Sequence, residues 1–174
     1  GFDSEKRLIL LIQHPVTTEH GAAKAQINTT LDTLKHFQFC EIVVFYSNTD
    51  AGGKDIIAEL NKFDNFRVFP NMDSRDFLSL MNCADLMVGN SSAAIREAPS
   101  FSLPAINIGT RQAGRLRAGN VLDVDHDPTA IKDAIDFALN DVAFRSGLTK
   151  ISNPYGDGKS AKRIVDKLQT VNIT

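Results

Sequence analysis

Residues able to bind an anion or handle a proton recur at one kind of place in this chain, just past short apolar runs. The most informative case is Val88-Gly89-Asn90-Ser91-Ser92-Ala93-Ala94-Ile95-Arg96-Glu97. Leu86, Met87 and Val88 read as the close of a buried strand, Gly89 permits a sharp turn, and Asn90 or Ser91 can cap a helix over Ala93 to Ala98. The unpaired backbone N–H groups and the dipole at such a helix start favour a phosphate above Ser91 and Ser92. On this motif alone an ordinary serine cap is the better reading. His14 follows another apolar run and precedes Pro15, which biases it to an extended conformation with its side chain projecting beyond the strand. Such an imidazole can act as an acid or a cation beside developing negative charge, although position alone fits a histidine satisfied by loop carbonyls. Arg111 comes after Gly109-Thr110, and its planar guanidinium suits a diphosphate or a stacked ring. Asn48 opens Asn-Thr-Asp-Ala-Gly-Gly, a composition that is also that of a plain turn.

Elements that would set these residues in place follow from periodicity. Apolar runs at Leu8 to Ile12, Ile42 to Phe45, Phe66 to Phe69, Leu86 to Val88, Pro104 to Ile108 and Val121 to Val124 read as strands. Between them Ile27, Leu31 and Leu34 share a helical face, as do Ile56, Ile57 and Leu60, then Phe77, Leu80 and Met81, then Ile131, Ile135, Ala138 and Leu139. Strands alternating with such helices predict an α/β fold, a Rossmann-like parallel sheet with helices on both faces and right-handed crossovers. Ligands of these sheets sit outside the carboxyl ends of the strands. His14, Asn48, Asn71, the Ser91-Ser92 pair and Arg111 all fall on that rim.

The 174 residues, 43% of them hydrophobic, suffice for one domain over 1–174 with a sizeable core. A formal net charge of −2 and the lack of a Lys/Arg run point away from nucleic acid. No apolar run is long enough for a membrane span and the opening GFDSEKR is not a signal peptide, so a cytoplasmic location is expected. Cys40 and Cys83 have no CxxC or zinc spacing and read as small core or near-core residues; neither a metal nor a cofactor is expected. The chain lacks an initiator Met and enters its first strand after a few charged residues, as an excised domain with a linker ending near Arg7 would. A final amphipathic helix is predicted at about 159–170, with Ala161, Ile164, Val165 and Leu168 on one side.

HPVTTE at 14–19, NTDAG at 48–52, GNSS at 89–92 followed by Ile95-Arg96-Glu97, INIGTRQ at 106–112 and NPYGDG at 153–158 occur in the order found in UDP-N-acetylglucosamine 2-epimerases, which this chain resembles over nearly its whole length. The match is to the C-terminal half of that family's proteins. The resemblance implies one half of a GT-B fold, with UDP and UDP-GlcNAc or a related UDP-amino sugar as ligands and a missing N-terminal Rossmann-like domain as the covalent partner. It leaves the oligomeric state open, a homo-oligomer included. Within the family the hydrolysing branch is the better fit: runs like HRRE near His14, SGG near Ser91 and TERP near Arg111, which mark the other branch, are not here.

The reaction the resemblance implies is elimination of UDP from UDP-GlcNAc through a glycal, then addition of water to give N-acetylmannosamine, a step of sialic acid biosynthesis. Ser91 and Ser92 resemble the pair holding the diphosphate, Asn48 and Arg111 resemble nucleotide contacts, and His14 resembles the active-site histidine. Glu97 is similar to the ribose ligand, its place about 8–9 Å along a helix from the serines matching the distance from a phosphate to sugar hydroxyls; the alternative is a surface ion pair. His20, His36 and His126 match no such position and read as surface or helix residues, and Arg115 and Arg117 as solvent-facing. The carboxylates that move the C2 proton are expected outside this chain, since nothing pairs Asp50, Asp73 or Asp157 as acid and base. Two other classes stay open: the sugar-nucleotide half of a GT-B glycosyltransferase, and a nucleotide-binding module without chemistry.

Overall fold

The computed structural model describes residues 3, 5–63 and 66–171. Six strands, β1 (Leu8–Ile12), β2 (Glu41–Phe45), β3 (Arg67–Phe69), β4 (Leu86–Gly89), β5 (Ala105–Ile108) and β6 (Val121–Val124), form one sheet in the order β3-β2-β1-β4-β5-β6, every neighbouring pair parallel. Among the described residues the α-helices are α1 (Ala23–Leu34), α2 (Gly53–Leu60), α3 (Ser74–Cys83), α4 (Ala93–Arg96), α5 (Pro128–Asn140), α6 (Val142–Leu148) and α7 (Ser160–Thr170).

The central strands are apolar in both parities because both faces are covered. Ile9, Leu11 and Val44 pack on Ile27 and Leu31 of α1 and Ile131 and Ile135 of α5; Leu10, Val43 and Met87 pack on Leu80 and Met81 of α3 and Ala94 of α4. The strand order reverses between β1 and β4, where Ile12 lies opposite Gly89. Gly89 has φ 121°, and a Cβ there would fall on the Ile12 carbonyl oxygen, so only glycine lets β4 lie this close to the end of β1. That reversal opens a crevice at the carboxyl ends of β1 and β4, the place where open α/β sheets bind their ligands.

Two expectations need correction. The helix after β4 ends at Arg96 rather than Ala98 and passes into a 3-10 turn over Ala98–Phe101. Pro99 explains this, since it has no N–H to give the Ile95 carbonyl and its ring would collide with that group. Cys40 is buried, but Cys83 closes the exposed side of α3. A 3-10 segment, Thr17–Ala22, precedes α1, and α6 follows α5; α6 buries only Leu148, too little for a periodic signal. In α7 no residue is buried, and Ile164, Val165 and Leu168 face solvent. Among the described residues no helix is long and apolar enough to cross a membrane.

Candidate functional site

His14, two residues past β1, is half-buried and held from several sides. The backbone N–H of Asn48, just beyond β2, donates to His14 Nδ1 at 3.1 Å, with Ser47 Oγ at 3.5 Å from the same nitrogen. A backbone amide can only donate, so Nδ1 carries no proton and the neutral ring carries it on Nε2. Burial, helped by the positive charge of Arg111 and opposed by Asp50, lowers its pKa to about 4. At neutral pH His14 is thus an uncharged N–H donor. Of the two roles open to this imidazole, the ligand-free geometry fits a neutral hydrogen-bond donor rather than a cation.

Asn48 is divided between two duties. Its amide nitrogen Nδ2 donates to Asp50 at 2.6 Å and its Oδ1 accepts from the Asp50 N–H at 3.4 Å, closing the turn its composition suggests, while its backbone holds His14. Asp50 in turn lies 4.0 Å from Arg111. Arg111 is half-buried and donates to the Asn90 carbonyl at 3.2 Å; burial lowers its pKa from the ordinary arginine value, with Asp50 acting the other way. Gln112, buried, donates to the same carbonyl at 2.7 Å.

The two serines separate in role. Ser91 is buried, and its hydroxyl accepts from the Ala93 N–H at 3.3 Å, capping the short helix. Ser92 lines a polar cleft of about 380 Å³ together with Thr17, Thr18, Asp50, Arg111 and Arg115. Among the described residues no carbonyl accepts the backbone N–H groups of Ser91 and Ser92. Because α4 is a single turn, its dipole is small, and the anion-binding capacity of this corner rests on those amides, the Ser92 hydroxyl and the two arginines. Arg115 is exposed but borders this cleft, and Arg117 is not solvent-facing: it donates to the Gln112 carbonyl at 3.0 Å and pairs with Asp123 at 3.0 Å.

Glu97 does not line this cleft. It occupies the junction between α4 and the 3-10 turn, half-buried, in a neighbouring groove of about 370 Å³ shared with Asn153 and Tyr155. Among the described residues it has no ion pair, so the surface-pair alternative is not what holds it. The 153–158 loop is tied over it: Asn153 Nδ2 donates to the Arg96 carbonyl at 2.7 Å and to Ser100 Oγ at 2.8 Å, and the Tyr155 hydroxyl donates to the Leu116 carbonyl at 3.0 Å.

Of the three acids considered above, Asp73 caps α3 and Asp157 makes a two-pronged pair with Arg163, leaving Asp50 as the one in the cleft. Asn71 is exposed past β3 and meets neither the cleft nor the groove. His36 is exposed, whereas His126 is not a surface residue; it is half-buried against Gly109, and among the described residues neither ring nitrogen has a hydrogen-bond partner. A larger hollow of about 1160 Å³ beside α3, around Asp73, Arg75 and Asn82, contains none of the rim residues and has no buried polar group turned to it.

Sequence reasoning missed Gln112 and Glu19, and read Asn90 only as a helix cap. Glu19 accepts from Thr110 Oγ1 and from Gln26 Nε2, both at 2.8 Å, and so ties the Thr17–Ala22 segment to the far lip of the cleft. Its only sequence signal was its place in the HPVTTE run.

The profile of the family described as UDP-N-acetylglucosamine 2-epimerase matches residues 2–169. A Legionella pneumophila protein named UDP-N,N'-diacetylbacillosamine 2-epimerase (hydrolyzing) is 35% identical over 99% of this chain and 45% of its own length. A Neisseria meningitidis protein named UDP-N-acetylglucosamine 2-epimerase is 37% identical over 80% of this chain and 39% of its own. Among solved structures, the UDP-GlcNAc 2-epimerase from Neisseria meningitidis bound to UDP-GlcNAc superposes with a TM-score of 0.79 at 21% identity, covering 98% of this chain and 46% of that one, a likeness of fold. The chain spans about half the length of the curated relatives it matches.

Proposed function

The chain belongs to the UDP-N-acetylglucosamine 2-epimerase family, and from that premise we propose that it supplies the UDP-binding site of a hydrolysing 2-epimerase. The observation that carries this is the meeting, at the crevice between β1 and β4, of Ser92, the open amides of Ser91 and Ser92, and Arg111, whose charge also reaches His14, a residue that does not itself line the cleft. Donors without acceptors next to a guanidinium are what a diphosphate requires. Glu97, unpaired in the adjoining groove, is positioned to accept hydrogen bonds from ribose hydroxyls, and the pinned 153–158 loop would close that end of the nucleotide.

In the reaction UDP-GlcNAc + water → N-acetylmannosamine + UDP, the bond from C1 to the diphosphate oxygen breaks as the C2 proton is removed, and water then adds to the glycal. Charge develops on the departing diphosphate. Arg111 neutralises it, and His14 donates a hydrogen bond from Nε2 that strengthens as that charge grows, in place of delivering a proton from an imidazolium. Carboxylates for the C2 proton belong, on this reading, to an N-terminal domain beyond this chain.

The Legionella pneumophila relative named as hydrolyzing supports this branch, and its name carries a diacetylated amino sugar, so a UDP-diacetamido sugar is the second substrate reading. Calorimetry on this chain with UDP, UMP and pyrophosphate tests the nucleotide site: UDP should bind more tightly than UMP. Equal affinity for the three, or none, overturns it. Sugar release from UDP-GlcNAc and from the UDP-diacetamido sugar by the longest natural chain containing this sequence decides the substrate, and release by the 174-residue chain alone would refute the assignment of the proton-moving groups to another domain.

A further inference from the structure

Asn90 uses every polar atom it has. Its backbone N–H donates to the Ile12 carbonyl at 3.0 Å; its side-chain Oδ1 accepts from the His14 N–H at 2.7 Å; its Nδ2 donates to the His14 carbonyl at 2.8 Å; and its own carbonyl accepts from Gln112 Nε2 and Arg111 Nη1 at 2.7 and 3.2 Å. The residue is 1% exposed, so none of these bonds has water as a ready substitute. A carboxamide is the one side chain of this length that can both accept from a peptide N–H and donate to the carbonyl of the same residue. Ionised aspartate lacks the donor, and glutamine, one methylene longer, would have to displace its buried surroundings to reach the same two groups.

We propose that Asn90 is a positioning residue for the cleft: by gripping both sides of the His14 backbone and the arginine that faces it, it sets the distance and angle between the imidazole and the guanidinium. Three segments that are distant in sequence, ending β1, β4 and β5, meet in this one residue. His14 is held at its ring by the Asn48 amide and at its backbone by Asn90, so turning Nδ1 outward would break the bond to that amide. The charged groups acting on that ring are Arg111, which Asn90 itself restrains, and Asp50 from the loop after β2.

The consequence for ligand affinity rests on the nucleotide reading above; the geometric core of the proposal does not, and the experiment separates them. Histidine side-chain NMR on the ligand-free chain, with the His14 signals assigned by their loss in His14→Gln, should show Nε2 protonated and Nδ1 unprotonated, titrating near pH 4. In Asn90→Ala the ring should lose that single tautomer, and its midpoint should rise by about one pH unit or more toward the ordinary 6.5. Asn120→Ala is the control: Asn120 is also fully buried and donates to the Ala94 and Leu103 carbonyls without touching His14, so it should lower the melting temperature and leave the His14 titration in place. If Asn90→Ala does not fold, Asn90→Ser keeps a polar group in the pocket, yet cannot span both His14 peptide groups and should give the same shift. An unchanged tautomer and midpoint in a folded Asn90 variant, or an equal shift in Asn120→Ala, overturns the proposal. UDP affinity of Asn90→Ala should fall about tenfold relative to Asn120→Ala. Should the parent chain bind no UDP while the His14 titration still moves, the nucleotide reading fails and the clamp stands.

Discussion

Replacing His14 by asparagine gives the sharpest test of the electrostatics, because Asn Oδ1 occupies the place of Nδ1 and can still accept from the Asn48 N–H while carrying no titratable proton. In the folded chain His14 titrates near 4, against 6.5 when unfolded. Between those values the unfolded chain binds the extra proton, so folding stability rises with pH through the window. The contribution is fully present above pH 6.5, declines as the pH falls toward 4, and is gone below. At 1.36 kcal/mol per pH unit the difference comes to about 3 kcal/mol for a ring largely removed from water. Urea unfolding followed by circular dichroism, at half-unit steps from pH 4 to 7.5, should therefore show the parent chain losing about 3 kcal/mol against His14→Asn from the top of the window to the bottom. Other groups cancel in the difference, His126 included. A flat difference would mean that His14 is hydrated in the folded state, and the argument for a neutral Nε2–H donor at pH 7 would fall with it.

Ser92→Ala should weaken UDP and pyrophosphate alike, by one to two decades for about 1.5–3 kcal/mol, whereas Glu97→Gln should weaken only ligands with ribose; calorimetry with both variants checks this, and equal loss of pyrophosphate in Glu97→Gln would make that residue a support of the fold. Gly89→Ala should cost about 3 kcal/mol or more, read as a lower urea midpoint, since the new methyl meets backbone rather than a movable side chain; a midpoint within error of the parent would refute the geometry of the β1–β4 crevice.

The strands were legible because both faces of the sheet are covered, which turns Leu8–Ile12 and Leu86–Val88 into unbroken apolar runs. The rim followed from the same logic, as parallel strands place their carboxyl ends together. What the sequence could not show was which side chain spends its hydrogen bonds inward. Ser91 and Ser92 are alike and adjacent, yet a difference of one position buries the first as a cap and leaves the second on the cleft. Asn90 looked like another cap, because its real partners lie 76 residues earlier and 21 and 22 residues later, in segments brought to it only by strand register. Arg117 looked free although its partners are close in sequence: Asp123 is on the edge strand β6 and the Gln112 carbonyl is in the loop before it, and no spacing rule brings the three together. Pro99 was visible all along, and its effect on the preceding turn follows from proline chemistry alone.

The strand order also governs how binding and assembly are linked. In chain order β1, β2 and β3 make one half of the sheet and β4, β5 and β6 the other, and in the sheet the halves join only along β1 and β4. His14 and Asn48 come from the first half, Ser92, Glu97 and Arg111 from the second. Ser92, Glu97 and Arg111 in the second half could hold a nucleotide by themselves, and His14 is what the first half adds, so a molecule that engages both would act as a rivet across the seam and stabilise the joined state. Substitutions along that seam, far from any ligand atom, would then raise an apparent dissociation constant simply by reducing the fraction of molecules in which the two halves are joined.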